Sequence, residues 1–91
     1  MNANFSNNGE KQRFELELDG KVAFIVYQLT DQAITMHHTE VPKDLEGKGI
    51  GSMLAARALD YCTIHNLKVI PSCPFIADYI GKHSKYESLL K

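Results

Sequence analysis

His38-Thr39-Glu40-Val41-Pro42-Lys43-Asp44-Leu45-Glu46-Gly47-Lys48-Gly49-Ile50-Gly51-Ser52 is the stretch on which the fold turns. Up to it the chain alternates with period two. From Ala33 to Val41, Ile34, Met36, His38 and Glu40 are assigned to one strand face, and Thr35, His37, Thr39 and Val41 to the other. After it the period becomes 3.6, with Ile50, Leu54, Ala58, Tyr61 and Cys62 on one stripe and Met53 beside it. That switch reads as a strand running into a helix. Pro42 has no N–H to pair and ends the strand, and Gly47, Gly49 and Gly51 loosen the loop that follows. The helix is expected from about Gly49 to His65, capped near Asn66.

Upstream, Glu10 to Asp19 alternates apolar Phe14, Leu16 and Leu18 with acidic Glu15, Glu17 and Asp19, which is the pattern of a half-buried strand. Asp19-Gly20 suits the φ > 0 positions of a two-residue hairpin. Val22 to Tyr27 is apolar on both faces and reads as a central strand, and Thr30-Asp31-Gln32 turns the chain into the strand that begins at Ala33. Downstream, Leu67 to Pro71 is a short buried strand, joined through the helix in parallel by a right-handed crossover. Ser72 or Cys73 caps a second helix with Pro74 at its first position, running from Phe75 to about His83. Tyr86 to Lys91 reads as one further helical turn. The expected architecture is mixed α/β: three antiparallel strands, a crossover helix, a parallel fourth strand and a C-terminal helix. Residues 1–9 read as a disordered polar tail and residues 10–91 as a single domain.

Composition narrows the function classes. Of 91 residues, 44% are apolar and 23% charged, and ten basic against eleven acidic residues leave a net charge of −1. That balance lacks the positive field of a nucleic-acid binder. No apolar run approaches the ~20 residues of a membrane span, so neither nucleic acid nor membrane is an expected partner. Cys62 and Cys73 have neither the density of a disulfide framework nor zinc spacing. Free thiols and the absence of a signal-like start point to the cytoplasm. His37 and His38 are adjacent, point to opposite strand faces and lack a third ligand, so no metal is expected.

The loop itself carries chemistry. Alternate glycines let a backbone approach a ligand closely, and the helix start adds unpaired N–H groups and a positive dipole end, which together favour a phosphate. Cys73 has two readings: a small core residue, or a thiolate favoured by the start of the second helix. Glu40 is either a solvated strand-end acid or a proton acceptor at the sheet end where Cys73 also emerges. Cys62 lies on the apolar stripe and reads as core. Tyr79 reads as core, His65 as a helix-end residue, and Lys82, His83 and Lys85 as a small basic spot.

Glu46-Gly47-Lys48-Gly49-Ile50-Gly51 resembles the pyrophosphate loop of GNAT-superfamily N-acetyltransferases, written Arg/Gln-x-x-Gly-x-Gly/Ala. His38 to Pro42 before it and Pro71 to Phe75 after it resemble stretches of the small single-domain branch that lacks the usual N-terminal helices. The resemblance covers roughly Phe14 to Leu90, and the three motifs in this order are more specific than any one alone. The resemblance implies acetyl-CoA as co-substrate, with no metal. Its pyrophosphate would rest on Gly47, Lys48, Gly49, Ile50, Gly51 and Ser52, and its pantetheine arm on the backbone near Val41. It also implies an amine acceptor of unspecified identity, Cys73 as acetyl acceptor and Glu40 as base, with transfer either direct or through acetyl-Cys73. The alternative is a CoA-binding module without turnover. Glu46 departs from the superfamily's Arg or Gln, which implies that the loop backbone does the binding, Glu46 turns away and Lys48 supplies the charge. A Tyr79 hydroxyl near the thioester and phosphate contacts from the basic spot are further implications.

Overall fold

The structure is a computed structural model that describes residues 3–91. Alternating Phe14, Leu16 and Leu18 form β2 (Arg13–Leu18), and Asp19 (φ 53°) with Gly20 (φ 75°) turns it into β3 (Lys21–Thr30). The matching of that turn to strand twist is why Asp-Gly stands there. β4 (Ala33–Glu40) follows, then a short 3-10 turn at Lys43–Leu45 and helix α1 (Ile50–Ile64). The end of α1 has a physical cause. Asn66 takes φ 56°, its N–H reaches the Thr63 carbonyl, and the Leu67 N–H reaches the Cys62 carbonyl at 2.9 Å, closing a Schellman motif. β5 (Lys68–Pro71) runs parallel to β4, α2 (Pro74–Lys82) begins with proline in its first turn, and a 3-10 segment spans Ser84–Leu89. That last segment starts earlier and is longer than the single turn expected from Tyr86.

The mixed sheet with a parallel last strand matches the expected architecture, but it has five strands, not four. β1 (Asn4–Asn8) adds to the edge, antiparallel to β2 from Asn4↔Glu17 to Asn8↔Arg13. The tail reading of residues 1–9 is therefore corrected for 4–8; residues 1–2 lie outside the described residues. Asn-rich sequence has low strand propensity. Here tertiary contacts override it. Phe5 stacks on Phe14 at 5.8 Å, and Asn7 accepts from the Tyr27 hydroxyl at 2.6 Å while donating to the Tyr61 hydroxyl at 3.0 Å. Glu10 to Gln12 belong to the β1–β2 turn, where Lys11 N–H bonds Asn8 Oδ1, so β2 starts three residues later than expected.

Both helices cover the same sheet face. Phe14, Leu16, Ile25, Ile34, Met36 and Val69 pack with Leu54, Ala58, Leu59 and Cys62 of α1 and Ile76 and Ile80 of α2 in one buried cluster. On the other face, Val22, Phe24 and Val26 of β3 are half-buried and Ile70 of β5 is exposed; among the described residues no helix lies over them.

A β-bulge decides which residues reach which face. Tyr27 pairs with Met36 but Val26 pairs with His38, so His37 is the extra residue of β4. Alternation is inverted beyond it. Thr39, opposite Ile25, falls on the helix face; Glu40, opposite Phe24, falls on the open face together with His38. The expectation that Glu40 shares the face of Ile34 and Met36 is corrected: one inserted residue moves every later side chain to the opposite side.

Candidate active site

Pairing between β4 and β5 covers only Ala33–Met36 against Lys68–Pro71. β4 continues to Glu40 while β5 has ended, so the two chains part, and the Cys73 N–H to Met36 carbonyl bond (2.9 Å) marks the vertex. Beyond it, β4 has no strand partner on that side. At the wide end lies a groove of about 240 Å³ lined by Val41, Leu45, Glu46, Gly47, Gly49, Ile50, Gly51, Ser52 and Phe75.

The groove floor is the glycine loop. Gly47 (φ 78°) and Gly49 (φ 74°) take left-handed conformations that side chains rarely adopt. Gly49 is the N-cap of α1 and supplies no side chain to cap it. The first intrahelical bond runs from Met53 N–H to the Gly49 carbonyl at 3.0 Å, so the N–H groups of Ile50, Gly51 and Ser52 precede the helical ladder. The first turn contains no acid. Gly51 answers to another constraint: a Cβ there would lie 3.2 Å from Phe75 Cζ and 3.6 Å from Val41 Cγ2. The Phe75 ring lies against the loop at that point, and a side chain at 51 would require the ring to shift. An anion-accepting helix start lining this groove fits a phosphate-bearing ligand with a slender arm.

Of the residues named from sequence for the co-substrate, Val41, Gly47, Gly49, Ile50, Gly51 and Ser52 line this groove and Lys48 does not. Lys48 is exposed on the loop, whereas Glu46 lines the groove. Leu45 and Phe75 were missed as wall residues. Phe75 was read as part of the apolar stripe of α2, but it is 40% exposed. The pairing of a glycine with an aromatic two residues after Cys73 was the available signal.

Cys73 is the N-cap of α2 and only 5% exposed. Its Sγ lies 3.4 Å from Thr39 Oγ1. The neutral thiol makes no capping bond, but the N–H groups at the start of α2 face the sulfur and favour its anion. Burial pushes this thiol up; the Thr39 hydroxyl and the N–H groups of Ile76, Phe75 and Thr39 more than offset that and hold it below its ordinary value of 9.0. Cys62, fully buried in α1, has only burial acting on it and is pushed up to about 12.

Glu40 is not brought to Cys73. Its Oε1 lies 2.8 Å from His38 Nε2 on the open face, and both side chains are exposed. Thr39, which touches Cys73, and Glu40 are consecutive residues on opposite sides of one strand, so only the thickness of β4 separates the thiol from the pair. Tyr79 is half-buried with its ring stacked on His83 at 3.9 Å; Lys82 pairs with Asp78 at 3.1 Å, and Lys85 lies over the Tyr86 ring. None of these lines the groove. His65 ends α1 with its ring 4.1 Å from Tyr61.

The chain resembles known proteins in sequence and in fold. A family model described as GCN5-related N-acetyl-transferase matches residues 13–89. The proteins called NATD1 from Mus musculus and Homo sapiens are 32% identical over 77 residues and 33% over 76, covering 81% and 80% of this chain and 70% and 67% of their own. The NMR solution structure of a GCN5-like protein from Staphylococcus aureus superposes with a TM-score of 0.73 at 26% identity, covering 97% of this chain and 87% of that one.

Proposed function

The chain belongs to the GCN5-related N-acetyltransferase family, and from that membership we propose that it transfers acetyl from acetyl-CoA to an amine by way of Cys73. The observation that carries the reading is the groove lined by the glycine loop, Val41 and Phe75, with Val41 two residues after Thr39 and Phe75 two residues after Cys73, the pair in contact at 3.4 Å. In this reading the N–H groups of Gly47 to Ser52 bind pyrophosphate, with the dipole of α1 behind them. The backbone edge of β4 near Val41 bonds the pantetheine arm. Acetyl-CoA supplies an activated acetyl group as a thioester.

Cys73 thiolate bonds the acetyl carbonyl carbon, and the departing CoA thiolate takes up the proton that Cys73 gave away. Glu40 first takes a proton from the acceptor's ammonium on the open face; the free amine then attacks acetyl-Cys73, the carbon–sulfur bond breaks, and the Cys73 sulfur takes up the proton that the new amide loses. Glu40, oriented by His38, serves the acceptor side because its carboxylate stands on the open face. The partly charged environment of α2's start stabilises the sulfur both as nucleophile and as leaving group.

Calorimetric titration of CoA into the Gly51→Leu variant tests the groove. The added side chain displaces Phe75, and affinity is expected to fall by about tenfold or more, a loss of ~1.4 kcal/mol, with the fold intact by circular dichroism. Unchanged affinity would remove the groove from the reading. A protein that binds CoA but releases no thiol with any amine would be the CoA-binding module without turnover.

A further inference from the structure

The open sheet face is built to hold something. β3 lays Val22, Phe24 and Val26 along it as a continuous apolar strip, half-buried though no element lies over them. Acids flank the strip on both sides. Register places Glu17 beside Val22 and Glu15 beside Phe24 on β2, and Glu40 beside Phe24 on β4. The face already binds one cation of its own. The Arg13 guanidinium lies 4.2 Å above the Phe24 ring and pairs with Glu15, which its hydrogen bond holds below the usual carboxylate range. Among the described residues Glu17 has no such partner, and Glu40 has only His38. Glu17 and Glu40 stand diagonally across β3, two strands and two residues apart, a separation of roughly 12 Å between backbones.

We infer that this face docks the acetyl acceptor, and that the acceptor is a linear aliphatic diamine or polyamine. The inference rests on the acetyl-transfer reading above and names its substrate class. Methylene stems lie on Val22 and along the edge of the Phe24 ring that Arg13 leaves free, one ammonium meets Glu17, and the reacting amine reaches Glu40 at the edge of β4. There β5 has stopped, so the amine passes beside Thr39 to the thiol side of the sheet. A polypeptide suits the face less well. Under the strip the N–H and C=O groups of β2 to β4 are used in their ladders, and the free edge of β4 is taken by the pantetheine arm, so peptide amides laid there find no partners, whereas a polyamine brings none.

The test has two readouts on the full chain. In the first, 1,8-diaminooctane is titrated into nitrogen-15-labelled protein, which needs no turnover. Shifts centred on Glu17, Val22, Phe24 and Glu40 are expected, with affinity about tenfold lower in Glu17→Lys and clearly lower in Phe24→Ser, and weaker binding by octylamine. In the second, thiol release from acetyl-CoA is followed with the diamine, octylamine or a lysine-bearing peptide; the diamine is expected to have the lowest KM, raised by Glu17→Lys. No shifts on this face, or a lysine-bearing peptide preferred over the diamine, overturns the inference. Acetylation of Cys73 without diamine binding would overturn the docking face and leave the transfer reading standing. Diamine binding without acetylation would do the reverse.

Discussion

The last turn of α1 and the start of α2 each hold a cysteine almost wholly removed from solvent, at 0% and 5% exposure. Their chemistry is opposite. Cys62 sits among Leu59, Ala58 and Leu54, where every nearby N–H is committed to the helix, so burial acts alone and the thiol is pushed up to about 12. Cys73 sits one residue before a helix begins, where N–H groups have no carbonyl to bond, and Thr39 adds a hydroxyl. Burial sets the cost of a charge; the polar groups left at the site decide whether the charge forms. The last turn of a helix has no free N–H to offer and a helix start has several.

The widest difference expected between the two is in alkylation. At pH 8 a thiol at about 12 is roughly one part in ten thousand thiolate. Iodoacetamide is therefore expected to modify Cys73 about a thousandfold or more faster than Cys62, with CoA protecting Cys73. Equal rates in a mass-resolved time course would erase the contrast.

Next in size is the effect of deletion. Cys73→Ala is expected to cost at least about a hundredfold in amine-dependent thiol release while CoA affinity stays within about twofold. Cys62→Ala is expected to leave turnover in place and cost about 1 kcal/mol of stability, read by urea unfolding. A few-fold loss in Cys73→Ala would mean direct transfer to the amine.

The smallest effect sharpens the cause. Thr39→Val keeps the shape of the side chain and removes the hydroxyl beside Cys73 Sγ. Loss of about 1 kcal/mol of hydrogen bonding raises the thiol pKa by about 0.7 units. The midpoint of the pH–alkylation curve is expected to move up by that amount, and the rate below the midpoint to fall about fivefold. No movement would leave the α2 N–H groups as the sole cause.

How far each region could be read from sequence follows the same divide between local and non-local causes. The groove was legible because its determinants are local: left-handed glycines, an uncapped helix start and Pro74 in the first turn of α2. Asp19-Gly20 and the Asn66 cap were legible for the same reason. β1 was not, because what orders Asn4–Asn8 is Phe14, Tyr27 and Tyr61, far along the chain. The bulge at His37 has no residue signature of its own, yet it moves Thr39 to the thiol and Glu40 to the open face. The two catalytic candidates could each be named from sequence, but their placement on opposite sides of the sheet could not.

The central claim is that Cys73 carries the acetyl group. Incubation with acetyl-CoA, then tryptic mass spectrometry under acidic conditions, tests it most directly, since Lys68 separates Cys62 from Cys73 into different peptides. The account expects one acetyl on the Val69–Lys82 peptide, located to Cys73, removed by hydroxylamine at neutral pH and lost when an acceptor amine is added. An unmodified Cys73, in a protein that nonetheless moves acetyl from CoA to the amine, would contradict it.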